Sequence, residues 1–222
     1  FFENEKKGVF PSTKWKKEAI GQNWYLGETL ITGIGQGYIQ STPLQLTLMT
    51  AQLANGGNKI YPTLIPNNKN INQIKTEMKN NEDYDLPSNY PPLVRNKENV
   101  KFVLDAMFKS TNEVYGTSYS SRIEDPKYQF AGKTGTAQVK RITEAERELD
   151  RKLEQIPYKE RDHAWYIAFG PYKNPRYAMT VLVEHGGSGS SAAAPIAKKL
   201  FKKIIDRHDE REIIRNNNIA IS

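Results

Sequence analysis

The chain has 222 residues, 37% of them hydrophobic, and a formal net charge of +7. It contains no cysteine, which excludes disulfides, thiol catalysis and cysteine-ligated metals within these residues. No apolar run approaches the roughly 18 residues that a membrane-spanning helix needs. The basic residues are scattered, which favours a solvated surface over a tract that binds nucleic acid or lipid.

The first part of the chain is predicted to be poor in regular structure. Residues 1–28 are predicted to form a polar loop held by aromatic side chains, and a glycine-rich segment follows at 33–38. A helix is predicted next, because Thr42 is a favourable N-cap and Pro43 suits the first helical position. Gly56 and Gly57 are expected to end it.

The middle of the chain contains an irregular segment and a second helix. Residues 58–97 are rich in Asn, Lys and Pro, with one short strand predicted near 60–64. Helical spacing of apolar residues predicts a helix over about 98–113, with one face packed on a core. That face consists of Val100, Val103, Leu104, Met107 and Phe108.

The last part of the chain is predicted to contain three strands and two helices. The strands are expected at 128–139, 164–169 and 177–184. The helices are expected at 144–155, opened by Thr143 and Glu146, and at 192–209. Short connections favour an antiparallel sheet, so the fold class is α+β. Three strands with one covering helix make a small core, so strands from outside this sequence are expected to complete the sheet.

Two motifs that resemble nucleotide sites do not hold. Gly132-Lys133-Thr134 has the letters of a phosphate-binding loop, but Lys127 stands where that motif requires glycine. Gly33 and Gly35 could begin a dinucleotide loop, but the third glycine would fall on Tyr38. Nucleotide binding is therefore not expected.

The histidines and serines do not form a metal site or a hydrolase triad. His163, His185 and His208 are too few and too far apart in sequence to predict a zinc site. No Gly-x-Ser-x-Gly motif surrounds Ser188, where a glycine–serine turn is predicted. No metal and no other cofactor is expected.

Lys133-Thr134-Gly135 lies on the first predicted strand, and it is accompanied by other ordered motifs. These blocks are Gly33–Gln45, Leu53–Gly57, Ala131–Val139, His163–Pro171 and Glu184–Gly187. In this order they resemble the class B penicillin-binding proteins, in particular the penicillin-binding protein 2 family of elongation transpeptidases. The triplet alone would be weak, but the ordered set covers most of the chain and is highly specific.

The resemblance implies a fold and a division of the chain. The sequence corresponds to the C-terminal portion of one transpeptidase domain of the penicillin-binding protein and serine β-lactamase type. Residues 1–127 would be mainly helical or irregular, 128–209 would hold the strands and the C-terminal helix, and 210–222 would be a tail.

The nucleophile that the family uses is not found in the chain. No serine is followed three positions later by lysine. Ser110-Thr111-Asn112 has the letters of the family's Ser-x-Asn triplet, but it comes too late in the chain and is interpreted as a helix-end cap. The resemblance therefore implies that the nucleophile, its lysine and the true Ser-x-Asn triplet precede Phe1.

The resemblance implies serine acyl transfer on D-Ala-D-Ala stem peptides, with β-lactams as mimics of the substrate. Lys133, Thr134 and Thr136 would bind the terminal carboxylate, and Lys133 would also act in catalysis by holding the nearby serine network. The N–H of Thr136 would be an oxyanion donor. Gly135 would let the ligand approach the backbone.

The resemblance also implies partners and a location. These are peptidoglycan stem peptides, β-lactams, a cell-wall elongation machinery with a glycosyltransferase, and an upstream anchor in the bacterial inner membrane, with the domain in the periplasm. The alternative is a non-catalytic scaffold or β-lactam sensor. Nucleic-acid binding is not indicated, because no aromatic–basic motif is present.

Overall fold

The computed structural model describes residues 5–60, 62, 93–140 and 151–221. The chain divides into two compact units, Phe1–Leu46 and Thr47–Ser222. Each has its own helices, and the sheet lies in the second unit.

The first unit contains two short helices, α1 (Thr13–Ile20) and α2 (Leu26–Gly33). The Ser12 side chain accepts a hydrogen bond from the N–H of Trp15 at the start of α1, and Gly21 ends it in the left-handed region at φ 76°. The prediction of a polar loop over 1–28 was wrong here. Each of the two helices has only eight residues, too few to show a clear apolar period.

A buried lysine joins α1 to α2. Lys16 is 1% exposed, and its Nζ lies 2.5 Å from Glu28 Oε1 and 4.5 Å from the ring centroid of Tyr25. Its hydrogen bond lowers the pKa of Glu28. Glu28 also accepts a hydrogen bond from the N–H of Tyr25, which begins α2.

The next two helices were predicted from sequence. Helix α3 covers Pro43–Ala54, and Thr42 Oγ1 caps it by accepting from the N–H of Gln45 at 3.1 Å. Helix α4 covers Lys97–Asn112. The strand predicted near 60–64 lies outside the described residues except for Ile60 and Pro62, neither of which is in a strand.

The three predicted strands are confirmed, with β1 shorter than expected. Strands β1 (Ala131–Ala137), β2 (His163–Gly170) and β3 (Tyr177–Val183) form an antiparallel sheet in the order β1-β2-β3. Gly135 pairs with Trp165 in the β1–β2 register. The α+β fold class is confirmed.

Helices cover both faces of this sheet. The last helix, α5 (Ala194–Ile221), follows a π-helical turn at Gly189–Ala193. On its side the buried core contains Phe130, Ala164, Tyr166, Ala168, Val181, Ala193, Ala194, Ala197 and Phe201. On the opposite side, Met107 of α4 packs with Ala131 and Phe169.

The end of the last helix differs from the sequence prediction, and one predicted helix is described only at its end. Helix α5 continues to Ile221 instead of ending near residue 209, so residues 210–221 are helical. The helix predicted over 144–155 lies mostly outside the described residues. Its described end forms a 3-10 turn at Leu153–Gln155.

Candidate functional site

Strand β1 is an edge strand of the described sheet, and one set of its backbone groups faces away from β2. Asn112 Nδ2 donates to Phe130 O at 2.9 Å, and Thr111 Oγ1 approaches Gly132 O at 3.5 Å. Further along, Lys133 Nζ donates to Thr134 O at 2.9 Å. The backbone carbonyl groups of residues 130, 132 and 134 therefore point away from β2. Because backbone groups alternate in antiparallel pairing, the N–H of Thr136 points away from β2 too.

The end of α4 covers only the first part of this edge. Asn112 donates to the carbonyl oxygen of Phe130, and Thr111 lies beside the carbonyl oxygen of Gly132. Within the described residues, no backbone partner pairs with the edge from Thr134 to Ala137. This open edge can accept an extended peptide by strand addition.

Lys133 lies at the start of the open edge. Its side chain is exposed, and besides Thr134 O its Nζ donates to Thr134 Oγ1 at 3.3 Å. The side chains of Thr134 and Thr136 lie on the same face of β1, since they are two residues apart. The Lys133 ammonium and the Thr134 hydroxyl thus meet at the open edge, and the Thr136 hydroxyl lies one step further along the same face.

Close backbone packing supports the strand beneath the site. A β-carbon on Gly189 would lie 2.8 Å from Gly135 O and 3.1 Å from Gly135 N, so the π-helical turn lies directly against β1. A β-carbon on Gly135 would lie 3.3 Å from Cβ of Trp165. The absence of a side chain at Gly189 therefore lets the turn approach the β1 backbone this closely.

A buried hydroxyl network fixes the end of α4 to the sheet. Tyr166 Oη lies 2.8 Å from Thr111 Oγ1 and 3.1 Å from Ser118 Oγ. Burial raises the pKa of Tyr166. These contacts hold the end of α4 and the segment that follows it against the sheet.

A second set of hydroxyl groups reaches the site from the same segment. Thr117 Oγ1 lies 3.4 Å from Thr134 Oγ1 and 3.2 Å from Ser110 Oγ. Ser110 lies in the last turn of α4, in agreement with its interpretation as a helix-end residue. Its carbonyl accepts a hydrogen bond from the N–H of Ser118 at 3.0 Å.

The sequence predicted Lys133, Thr134, Gly135 and Thr136 as one site, and the structure places them consecutively on the open edge of β1. Thr117 was not predicted from the sequence. In the sequence, Thr117 is marked only by the glycine before it, and a Gly-Thr pair does not predict a contact with a later strand.

The histidines serve local structure in the described part of the chain. His163 Nδ1 accepts from the N–H of His185 at 2.9 Å, and His208 Nδ1 lies 2.6 Å from Tyr177 Oη. Within residues 5–60, 93–140 and 151–221, no three His, Asp or Glu side chains are arranged to hold a metal. In the same residues, no helix combines the length and apolarity that crossing a membrane requires.

The family model described as the penicillin binding protein transpeptidase domain matches residues 2–202. The chain belongs to this family. The resemblance seen in the ordered motifs is thereby confirmed, and so is the penicillin-binding protein transpeptidase fold.

Individual transpeptidases agree with this assignment. The chain is 35% identical over 205 residues to the peptidoglycan D,D-transpeptidase MrdA of Salmonella typhimurium, covering 91% of this chain and 31% of the relative. The structure of Pseudomonas aeruginosa PBP2 in complex with WCK 5153 matches with a TM-score of 0.70 and 36% identity, covering 90% of this chain and 39% of that one.

A complex of PBP2 and MreC from Helicobacter pylori matches with a TM-score of 0.70 and 33% identity, covering 92% of this chain and 32% of the other. The chain thus spans about a third of the length of these penicillin-binding proteins.

Proposed function

We propose that this chain forms the substrate-binding wall of a peptidoglycan D,D-transpeptidase that β-lactams acylate. The observation that carries the proposal is the open edge of β1, where the Lys133 ammonium contacts Thr134 and Thr136 follows on the same strand. Membership in the penicillin binding protein transpeptidase family supports the same chemistry.

The substrate is an extended D-Ala-D-Ala stem peptide that pairs with this edge. The Lys133 ammonium attracts the terminal carboxylate, and the hydroxyl groups of Thr134 and Thr136 donate to it. In this proposal the N–H of Thr136, which points away from β2, stabilises the oxyanion that forms on the penultimate carbonyl. Gly135 leaves the backbone accessible between these groups.

The reaction is a two-step acyl transfer. A serine hydroxyl attacks the penultimate D-Ala carbonyl and loses its proton to a base, the terminal D-Ala leaves with a proton on its amine, and a serine ester remains. An amine of a neighbouring stem peptide then attacks the ester, forms the cross-link and releases the serine. A β-lactam stops after the first step.

The serine and its lysine belong to a part of the protein that precedes Phe1 in this proposal. No Ser-x-x-Lys motif occurs in the sequence. The relatives are about three times as long as the matched region, which leaves room for the missing motifs.

The cellular location of the complete protein is part of the same proposal. The complete protein acts in cell-wall elongation on the periplasmic side of the bacterial inner membrane, together with a glycosyltransferase. The complex that Helicobacter pylori PBP2 forms with MreC supports an assembly of this kind.

The test is covalent labelling of the full-length protein by a fluorescent penicillin on a denaturing gel. The wild type becomes labelled, and Lys133→Ala lowers the acylation rate by about 100-fold or more, because a charged contact to the reacting ligand is lost. Lys173→Ala, which changes an exposed lysine between β2 and β3, keeps the wild-type rate. An unlabelled wild type would favour a non-catalytic scaffold, and a labelled Lys133→Ala at full rate would remove the role of Lys133.

A further inference from the structure

A continuous line of polar groups runs from α4 to the proposed carboxylate site. Ser110 Oγ lies 3.2 Å from Thr117 Oγ1, which lies 3.4 Å from Thr134 Oγ1. Thr134 Oγ1 in turn accepts from Lys133 Nζ at 3.3 Å. Thr117 therefore connects the Ser110 hydroxyl of the helix to the Thr134 hydroxyl of β1.

Thr117 is held between two anchored neighbours. A β-carbon on Gly116 would lie 2.5 Å from the Lys109 carbonyl oxygen, so this position packs tightly against the end of α4. On the other side Ser118 is fully buried, and its hydroxyl donates to Ser110 O at 3.0 Å. The side chain of Thr117 itself is exposed. An exposed residue on such a rigid segment presents its hydroxyl in a fixed direction.

The direction of the hydrogen bonds follows from the groups involved. The Lys133 ammonium can only donate, so Thr134 Oγ1 accepts from it and keeps its own proton for another acceptor. Thr117 Oγ1 is within reach of that proton, and it can donate its own proton to Ser110 Oγ.

An incoming carboxylate changes this arrangement. When Thr134 turns its proton to the carboxylate, Thr117 can turn and donate to Thr134. A hydroxyl at residue 117 can therefore accept from Thr134 in the free site and donate to it in the occupied one.

We propose that Thr117 is a positioning residue of the carboxylate site, acting through the hydroxyl of Thr134. This inference rests on the proposed acyl-transfer function. Thr117 does not touch the reacting atoms; it sets the orientation of a group that does. Its expected effect is therefore modest and dependent on Thr134.

The experiment measures the second-order rate of acylation of the full-length protein by a fluorescent penicillin. Thr117→Val, which keeps the shape and removes the hydroxyl, lowers the rate about five- to tenfold, as expected for one lost hydrogen bond. Thr117→Ser restores it to within about twofold. Ser120→Ala, which removes an exposed hydroxyl from the same segment, leaves the rate unchanged.

A double-mutant cycle separates positioning from a purely structural role. If Thr117 acts through Thr134, Thr117→Val/Thr134→Val acylates no more slowly than Thr134→Val alone. Additive losses, or a wild-type rate for Thr117→Val, overturn the inference while the wild type is still labelled. Thr117→Ala replaces the valine variant in the cycle if the latter does not fold. A wild type that takes no label refutes the proposed function, and this inference falls with it.

Discussion

The phenol ring of Tyr166 lies directly against Gly132: a β-carbon at residue 132 would lie 2.5 Å from Cζ of Tyr166. The glycine before Lys133 therefore has a packing role. It lets the Tyr166 side chain pass beneath β1, so that its hydroxyl reaches Thr111 and Ser118. These hydrogen bonds of Tyr166 help to position the end of α4 at the open edge.

Gly132→Ala is expected to destabilise the second unit by about 1–3 kcal/mol, because the added methyl group overpacks a buried contact that cannot move freely. Chemical denaturation of the full-length protein measures the loss. Gly27→Ala is the matched control, since no atom lies within 4 Å of a β-carbon there and alanine favours helix α2. Equal stability of Gly132→Ala and the wild type would show that Tyr166 does not occupy this position.

Tyr166→Phe is expected to cost about 1–2 kcal/mol, because it removes the hydrogen bonds to Thr111 and Ser118 in a buried site. Burial raises the pKa of Tyr166 above its ordinary value of 10.0, so in alkali the unfolded chain ionises first. Stability is then lost as the pH rises above about 10. Denaturation at pH 7 and pH 10.5 should show a smaller alkaline loss for Tyr166→Phe. Tyr115→Phe, at an exposed tyrosine, should match the wild type at both pH values.

The sequence correctly placed the candidate site residues on a strand, but it did not specify the contacts around them. Lys133, Thr134, Gly135 and Thr136 are consecutive on one strand, so a local motif and its alternation were enough to place them together. Thr117 joins Thr134 through a turn whose geometry depends on packing against α4. The contact of Tyr166 with Thr111 joins residues that are 55 positions apart, and no local pattern specifies it.

The helices of the first unit were missed for a different reason. Each has only eight residues, too few for an apolar period to be recognised, and helices this short depend on tertiary contacts such as that of Lys16 with Glu28. Ser12 and Gly21 carried capping signals that would have located α1. Helix α5 was predicted too short because its last residues lack a clear apolar face.

The stability of the first unit is expected to depend on pH through Glu28. The hydrogen bond from Lys16 lowers the folded-state pKa of Glu28 from its ordinary value of 4.5. The pair therefore contributes fully above about pH 4.5, and its contribution is lost as the pH falls through the folded-state pKa. Tryptophan fluorescence during thermal unfolding, followed from pH 7 to pH 3, should show this loss in the wild type.

Lys16→Met is expected to lower the melting temperature at pH 7, because the Glu28 carboxylate loses its buried partner. It should also reduce the loss of stability that sets in as the pH falls below about 4.5. Lys17→Met, which changes the exposed neighbour, should melt like the wild type and keep its pH dependence. A Lys16→Met variant with the wild-type acid profile would show that Glu28 is not tuned by this contact.

Thr136→Pro is expected to separate folding from catalysis. The N–H of Thr136 points away from β2, so proline removes no bond of the β1–β2 ladder, and edge strands tolerate proline at such positions. The melting temperature should stay within a few degrees of the wild type, while acylation by a fluorescent penicillin falls by about 100-fold or more, because an oxyanion donor is lost. Thr136→Ala keeps the N–H and loses only the hydroxyl, so it should acylate faster than Thr136→Pro. A folded Thr136→Pro variant that acylates as fast as Thr136→Ala would exclude the N–H of residue 136 as the oxyanion donor.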